Sequence, residues 1–138
     1  GTWRPIFAEK PLPKAKVSSF SVRVENTSSA SIMIGVCPTS LKSKSDCLYN
    51  NNGCIALYLS GNCSTFKNGS STSLSCSTPK LGAIIKVMTD LIQNKVYFYL
   101  NTTHLGTVDL DSTFVQAGDF YPFVELNTAN DRVSFVDY

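Results

Sequence analysis

The chain has 138 residues, 43% of them hydrophobic and 16% charged, with a formal net charge of +2. That is the length of one domain, able to bury about two-thirds of the surface its unfolded chain exposes, so folding requires neither a metal nor a disulfide framework. The balanced charge argues against nucleic acid as a partner, and no apolar run approaches the roughly 18 residues of a membrane span.

Residues 1–16 hold three of the six prolines, the lone Trp3 and the only basic cluster, Lys10, Lys14 and Lys16. Such a segment reads as an extended, solvated arm. Trp3 and Phe7 are costly to leave in water, so the arm is expected to lie along an edge of the fold. Gly1-Thr2-Trp3-Arg4 has no signal-peptide apolar region and no initiator Met, which reads as a boundary within a longer protein.

From Val17 onward, period-two segments recur at short spacing: 17–24, 31–37, 54–59, 73–76, 83–88, 95–100, 105–110, 121–126 and 132–138. No window carries the i, i+3, i+4, i+7 apolar repeat of a long helix. The pattern predicts an all-β protein, an antiparallel β-sandwich of two sheets over residues 17–138. In Lys95-Val-Tyr-Phe-Tyr-Leu100, Val96, Phe98 and Leu100 share one face and Tyr97 and Tyr99 the other, as expected of a central strand covered on both sides. Asn101 to His104 form a polar break that reads as a hairpin turn. Two connections are long: 38–53, with Leu48 and Tyr49 set among polar residues, and 61–72, which reads as a flexible hairpin tip.

Several of these segments together resemble the SPRY (B30.2-type) domain. Leu81-Gly-Ala-Ile-Ile-Lys-Val-Met-Thr-Asp90 is a strand ending in an acidic residue. It is followed by the aromatic strand 95–100, the Leu105-Gly106 strand and the Tyr121-Pro122 strand. Ser31-Ile-Met-Ile-Gly-Val36 resembles an earlier strand with its Gly-Val pair, and Gly53 to Gly61 stands where the family reads Ser-Trp-Gly and an aliphatic strand. The chain departs from the pattern in three places. Cys54-Ile55 replaces the Trp, Gly82-Ala83 the Gly-Asp pair, and Asn101-Thr102 the Asn-Gly turn.

The resemblance implies a protein-interaction module for short peptide segments, in the family often the substrate-selecting part of a ubiquitin ligase or a scaffold. It also implies a site made by two loops. By position the first supplies Leu48, Tyr49, Asn50, Asn51 and Asn52, and the second Asn127, Thr128, Ala129 and Asn130. Without the Trp, ligand specificity does not carry over. The expected setting is a cytoplasmic, monomeric domain of a larger protein, with a protein or peptide partner and no nucleic acid, membrane or cofactor. The alternative is a lectin-like, carbohydrate-binding sandwich of a secreted glycoprotein, since Tyr49 and three asparagines also suit a sugar.

Five cysteines, Cys37, Cys47, Cys54, Cys63 and Cys76, form an odd set with spacings too wide for zinc half-sites. They are expected to be reduced, with Cys37 and Cys54 packed as small apolar groups in strands. Four Asn-x-Ser/Thr sequons begin at Asn26, Asn62, Asn68 and Asn101. Ten asparagines and thirty Ser plus Thr give about two by chance, so the excess is small.

The chemistry of catalysis is sparse. His104 is the only histidine and sits in a turn, and no nucleophile elbow or phosphate loop occurs. Asp90, Asp109, Asp111, Asp119 and Asp131 lie near strand ends, the ordinary place for turn aspartates. Asp109-Leu-Asp111 lacks the dense oxygen set calcium wants. The reading is that the protein is not an enzyme, with no catalytic or metal residues.

Overall fold

The structure, a computed structural model, describes residues 3–14, 17–27, 31–42, 48–59, 63–111, 114 and 118–137. Its described elements are eleven strands and one short 3-10 turn at Thr39–Leu41. The strands are β1 (Arg4–Phe7), β2 (Val17–Asn26), β3 (Ile32–Pro38), β4 (Ile55–Leu59), β5 (Ser64–Lys67) and β6 (Ser70–Ser73), followed by β7 (Ile84–Asp90), β8 (Lys95–Leu100), β9 (Thr103–Asp109), β10 (Phe120–Leu126) and β11 (Arg132–Asp137).

They form two antiparallel sheets, ordered β1-β10-β3-β4-β5-β6 and β11-β2-β7-β8-β9. The expected two-sheet sandwich is the observed fold. Between the sheets, Ile34, Val36, Leu57 and Val124 meet Phe20, Val22, Ile85, Val87, Val96 and Phe98, all at most 1% exposed. The arm is joined to the sandwich: β1 pairs with β10 as the edge strand of the six-stranded sheet, Arg4 opposite Leu126 and Phe7 opposite Phe123.

Strand β8 alternates as its pattern requires, with Val96, Phe98 and Leu100 buried and Tyr97 and Tyr99 half-buried. The tyrosine face is not under a second layer of strands; the His104 ring packs against Tyr99, 5.5 Å between centroids. Strand β3 differs, being buried at every residue. Its outward face lies under a second apolar cluster of Cys37, Leu48, Cys54, Ala56 and Phe123, flanked by Phe7, Leu41, Tyr49, Phe66 and Tyr121. The described parts of the connection between β3 and β4, at Leu41 and from Leu48 onward, therefore pack against the outer face of the six-stranded sheet. Gly35 lets strands approach here, because a Cβ at that position would run into the Ile55 carbonyl oxygen.

Three expectations are corrected. The segment 61–72 is not merely a flexible tip, since its described part is a β5–β6 hairpin turning at Asn68 and Gly69, whose φ values of 52° and 82° suit a tight turn of left-handed residues. Of the strand expected at 73–76, only Ser73 lies in β6. Nor are all the cysteines reduced. Ser64 pairs with Ser73, and Leu74 N donates to Cys63 O at 2.8 Å, so the chain ends beyond that ladder run side by side. Cys63 and Cys76 meet there as a disulfide, their Cα atoms 5.9 Å apart. Cys37 and Cys54 are buried as expected, and neither is part of a disulfide. Cys47 lies outside the described residues.

Candidate functional site

The two loops leave the six-stranded sheet from opposite ends of β3: the first follows Pro38, and the second follows Leu126, which pairs with Ile32. One contact ties the described end of the first loop to β10, the strand that leads into the second. There Leu48 is fully buried and its backbone N–H donates to Oε1 of Glu125, itself 0% exposed and two residues before Asn127. Near its start the same loop is held by Lys42, whose Nζ donates to Glu9 O at 3.1 Å and lies 4.1 Å from the Tyr121 ring centroid.

The predicted residues of the first loop divide by role. Leu48 packs inside and presents no side chain to a partner. Tyr49 is half-buried among aromatic rings, 4.9 Å from Phe66 and 5.9 Å from Trp3, which in turn lies 5.6 Å from Tyr58. Asn51 turns inward and donates through Nδ2 to Leu48 O at 3.1 Å. Asn50 and Asn52 are exposed. The loop is closed against the β5–β6 turn, where Asn68 Oδ1 accepts from Gly53 N at 2.8 Å.

The second loop lines a surface hollow of about 410 Å³ formed by Arg4, Ile6, Leu126, Asn127, Thr128, Ala129, Asn130 and Asp131. All four predicted residues of this loop are in it. Its lining combines the apolar Ile6, 45% exposed, and Leu126 with the charged Arg4 and Asp131. Asn130 adopts a left-handed backbone, φ 72°, and its carbonyl accepts from Asn26 Nδ2 at 2.8 Å, which fixes the loop to β2. Asn127 Oδ1 is buried in the wall and accepts no hydrogen bond among the described residues. An acceptor so placed costs on the order of 1–3 kcal/mol until a donor reaches it.

Sequence reasoning missed the contribution of β1. Trp3 touches the first loop and Arg4 and Ile6 line the hollow beside the second, so the edge strand is the physical link between the two. The signal was present in the lone Trp3 and its Pro5 neighbour, which mark an edge strand, but nothing in the sequence says which loop it adjoins. A second hollow of about 430 Å³, at 77–83 with Leu100 and Asn101, lacks aromatic side chains and shares no residue with either loop.

The candidate catalytic groups have structural partners. His104 Nε2 lies 2.8 Å from Thr107 Oγ1 on the surface. Asp90 Oδ1 accepts from Ile92 N and Gln93 N at 2.9 and 3.0 Å, capping the β7–β8 turn. Asp109 pairs with Lys95 at 2.5 Å, which lowers the Asp109 pKa and raises that of Lys95, first through their hydrogen bond and then through charge. Asp111 pairs with Lys67 and Asp119 with Lys14, at 3.6 and 3.4 Å. Asp131 Oδ2 accepts from Thr27 Oγ1 at 3.5 Å. Among the described residues no group of three or more His, Cys, Asp or Glu side chains could hold a metal, and no helix is long and apolar enough to cross a membrane.

A family model described as the SPRY domain matches residues 17–138. The structure is similar to the SPRY domain of human HERC1, with TM-score 0.75 and 17% identity over 99% of this chain and 84% of that one. A second human SPRY domain gives 0.74 and 14% over 98% and 84%, and the TRIM65 PSpry domain gives 0.74 and 14% over 97% and 71%. No curated protein sequence matches closely enough to count as a relative.

Proposed function

The chain belongs to the SPRY family and is a protein-interaction module, and from that premise we propose that it recognises short peptide segments at the hollow between β1 and the loop after β10. The observation that carries this reading is the hollow itself, which unites all four expected residues of the second loop with an exposed apolar side chain, Ile6. An apolar lining with a few polar groups is the usual construction of a ligand site. Ile6 and Leu126 take an apolar side chain of the peptide, Arg4 and Asp131 read its charge, and Asn127 offers an acceptor to a peptide N–H. Trp3 and Tyr49 extend the surface toward the first loop, where Asn50 and Asn52 remain exposed. A ubiquitin-ligase setting rests on family resemblance alone, and the Cys63–Cys76 bridge weighs toward an oxidising compartment instead.

The test is a peptide-library screen run beside a glycan array. A peptide ligand is expected, and Ile6→Glu should weaken it roughly 30-fold, the equivalent of an anchor worth about 2 kcal/mol, at an unchanged melting temperature. Ile6 is exposed on an edge strand, so its replacement spares the core. Binding to sugars only, or full affinity of the Ile6→Glu variant, would overturn the reading.

A further inference from the structure

Two of the four sequons lie wholly within the described residues, Asn68-Gly69-Ser70 and Asn101-Thr102-Thr103. Both asparagines are exposed, and both occupy hairpin turns with left-handed backbone, φ 52° and 55°. Each uses its amide oxygen internally. Asn68 Oδ1 accepts from Gly53 N at 2.8 Å, and Asn101 Oδ1 accepts from Ile84 N at 3.0 Å. The Nδ2 nitrogen of each, the atom that carries an N-linked glycan, is therefore left for solvent on the opposite side of a fixed amide.

Left-handed geometry explains why asparagine stands at these turns, and Asn94 and Asn130 share that geometry without a sequon. It does not explain the Ser70 and Thr103 hydroxyls two residues on. A separate observation supplies the compartment. The Cys63–Cys76 disulfide persists where thiols are oxidised, which is also where N-glycan transfer takes place. A third sequon, at Asn62, abuts that bridge in sequence.

We propose that Asn68 and Asn101 are N-glycosylation sites and that the protein matures in the secretory pathway. In the transfer, Nδ2 attacks the anomeric carbon of an oligosaccharide carried on a lipid diphosphate. A C–N bond forms as the C–O bond to the diphosphate breaks. The diphosphate leaves with the bonding pair, and the nitrogen gives one proton to a base of the transferase. No oxidant or reductant is consumed.

The placement keeps the proposed peptide site clear. Asn68 lies in the β5–β6 hairpin, at the sheet edge opposite β1 and β10, and Asn101 joins β8 to β9 in the other sheet. A glycan on Asn68 does stand beside the first loop, because Asn68 N also donates to Cys54 O at 3.2 Å. Ligands that reach Tyr49 and Asn50 are thus screened on one side, while the hollow at Arg4 and Ile6 stays open.

The experiment is peptide mapping of protein isolated from its source, with and without peptide-N-glycosidase in heavy-oxygen water. Asparagine-to-aspartate conversion with label uptake is expected at positions 68 and 101. Unmodified asparagine at both positions would overturn the proposal. In a secretory host, Ser70→Ala and Thr103→Ala should each remove one glycan from the intact mass while retaining the turn asparagine. An unchanged glycan mass in either variant would count against that site. Because neither substitution touches the hollow, failure here leaves the peptide-binding reading standing.

Discussion

Glu125 Oε1 accepts a hydrogen bond from the backbone N–H of Leu48, across 77 residues of sequence and with both residues fully buried. This bond fixes the Leu48 end of the β3–β4 connection against β10 and lets the second apolar cluster close over the sheet. Glu125→Ala leaves the Leu48 N–H in an apolar layer, at a cost of about 1–3 kcal/mol. Glu125→Gln keeps an acceptor oxygen and should lose less. Urea unfolding of the two variants checks the order, and an alanine variant as stable as the parent would show that the bond carries no stability.

The disulfide makes its own claim on stability. Its thiols are 13 residues apart, and closing a loop of that size constrains the unfolded chain by about 3 kcal/mol in the entropy model. The double variant Cys63→Ser with Cys76→Ser should lose stability of that order, and reductant should lower the melting temperature of the parent but not of the variant. A non-reducing digest that yields Cys63 and Cys76 on separate peptides would rule the bridge out.

How far the sequence reached is visible in particular residues. Strand β8 was legible because Val96, Phe98 and Leu100 alternate with tyrosines, and burial on one face follows from that alternation. The β5–β6 hairpin was legible in principle, since Asn68-Gly69 is a strong turn dipeptide, but strands made of Ser and Thr have no apolar period to reveal them. The disulfide was hidden for the same reason, because the register that joins Cys63 to Cys76 is set by that hairpin. For the site, the loop after Tyr121-Pro122 lines a hollow, which the sequence alone does not show, and the burial of Leu48 depends on Glu125, a contact between distant positions that no local pattern encodes.

The face assignment in β8 yields a direct comparison. Phe98 is fully buried between the sheets, and Tyr97 is half-buried on the outer face. Phe98→Ala should cost about 3–5 kcal/mol through lost transfer energy and an unfilled cavity. Tyr97→Ala should cost markedly less. Chemical denaturation of both variants decides it, and equal losses would mean that the inter-sheet core does not rest on the Phe98 face.

Cys37 is fully buried, and its pKa is pushed up from 9.0 to about 12, first by burial and then by Glu125, with Lys42 opposing. Below pH 9 the thiol is protonated in both folded and unfolded chains and has no effect on the balance. As pH rises from 9 to 12, the unfolded chain releases a proton that the folded chain keeps, so stability falls across that window. A shift of about three pKa steps corresponds to a loss of at most roughly 4 kcal/mol at the alkaline end. Tyrosines and lysines titrate nearby, so the measurement is the difference in slope between the parent and Cys37→Ala, which should be the flatter of the two. A neutral, buried thiol is also a poor nucleophile. Maleimide at pH 8 should therefore leave the Cys37 peptide unlabelled in the native protein, burial alone should shield Cys54, and denaturant should allow both to be modified. Rapid native labelling of either cysteine would mean that the loop carrying Leu48 opens readily from the sheet, and the covered outer face would then be a transient state.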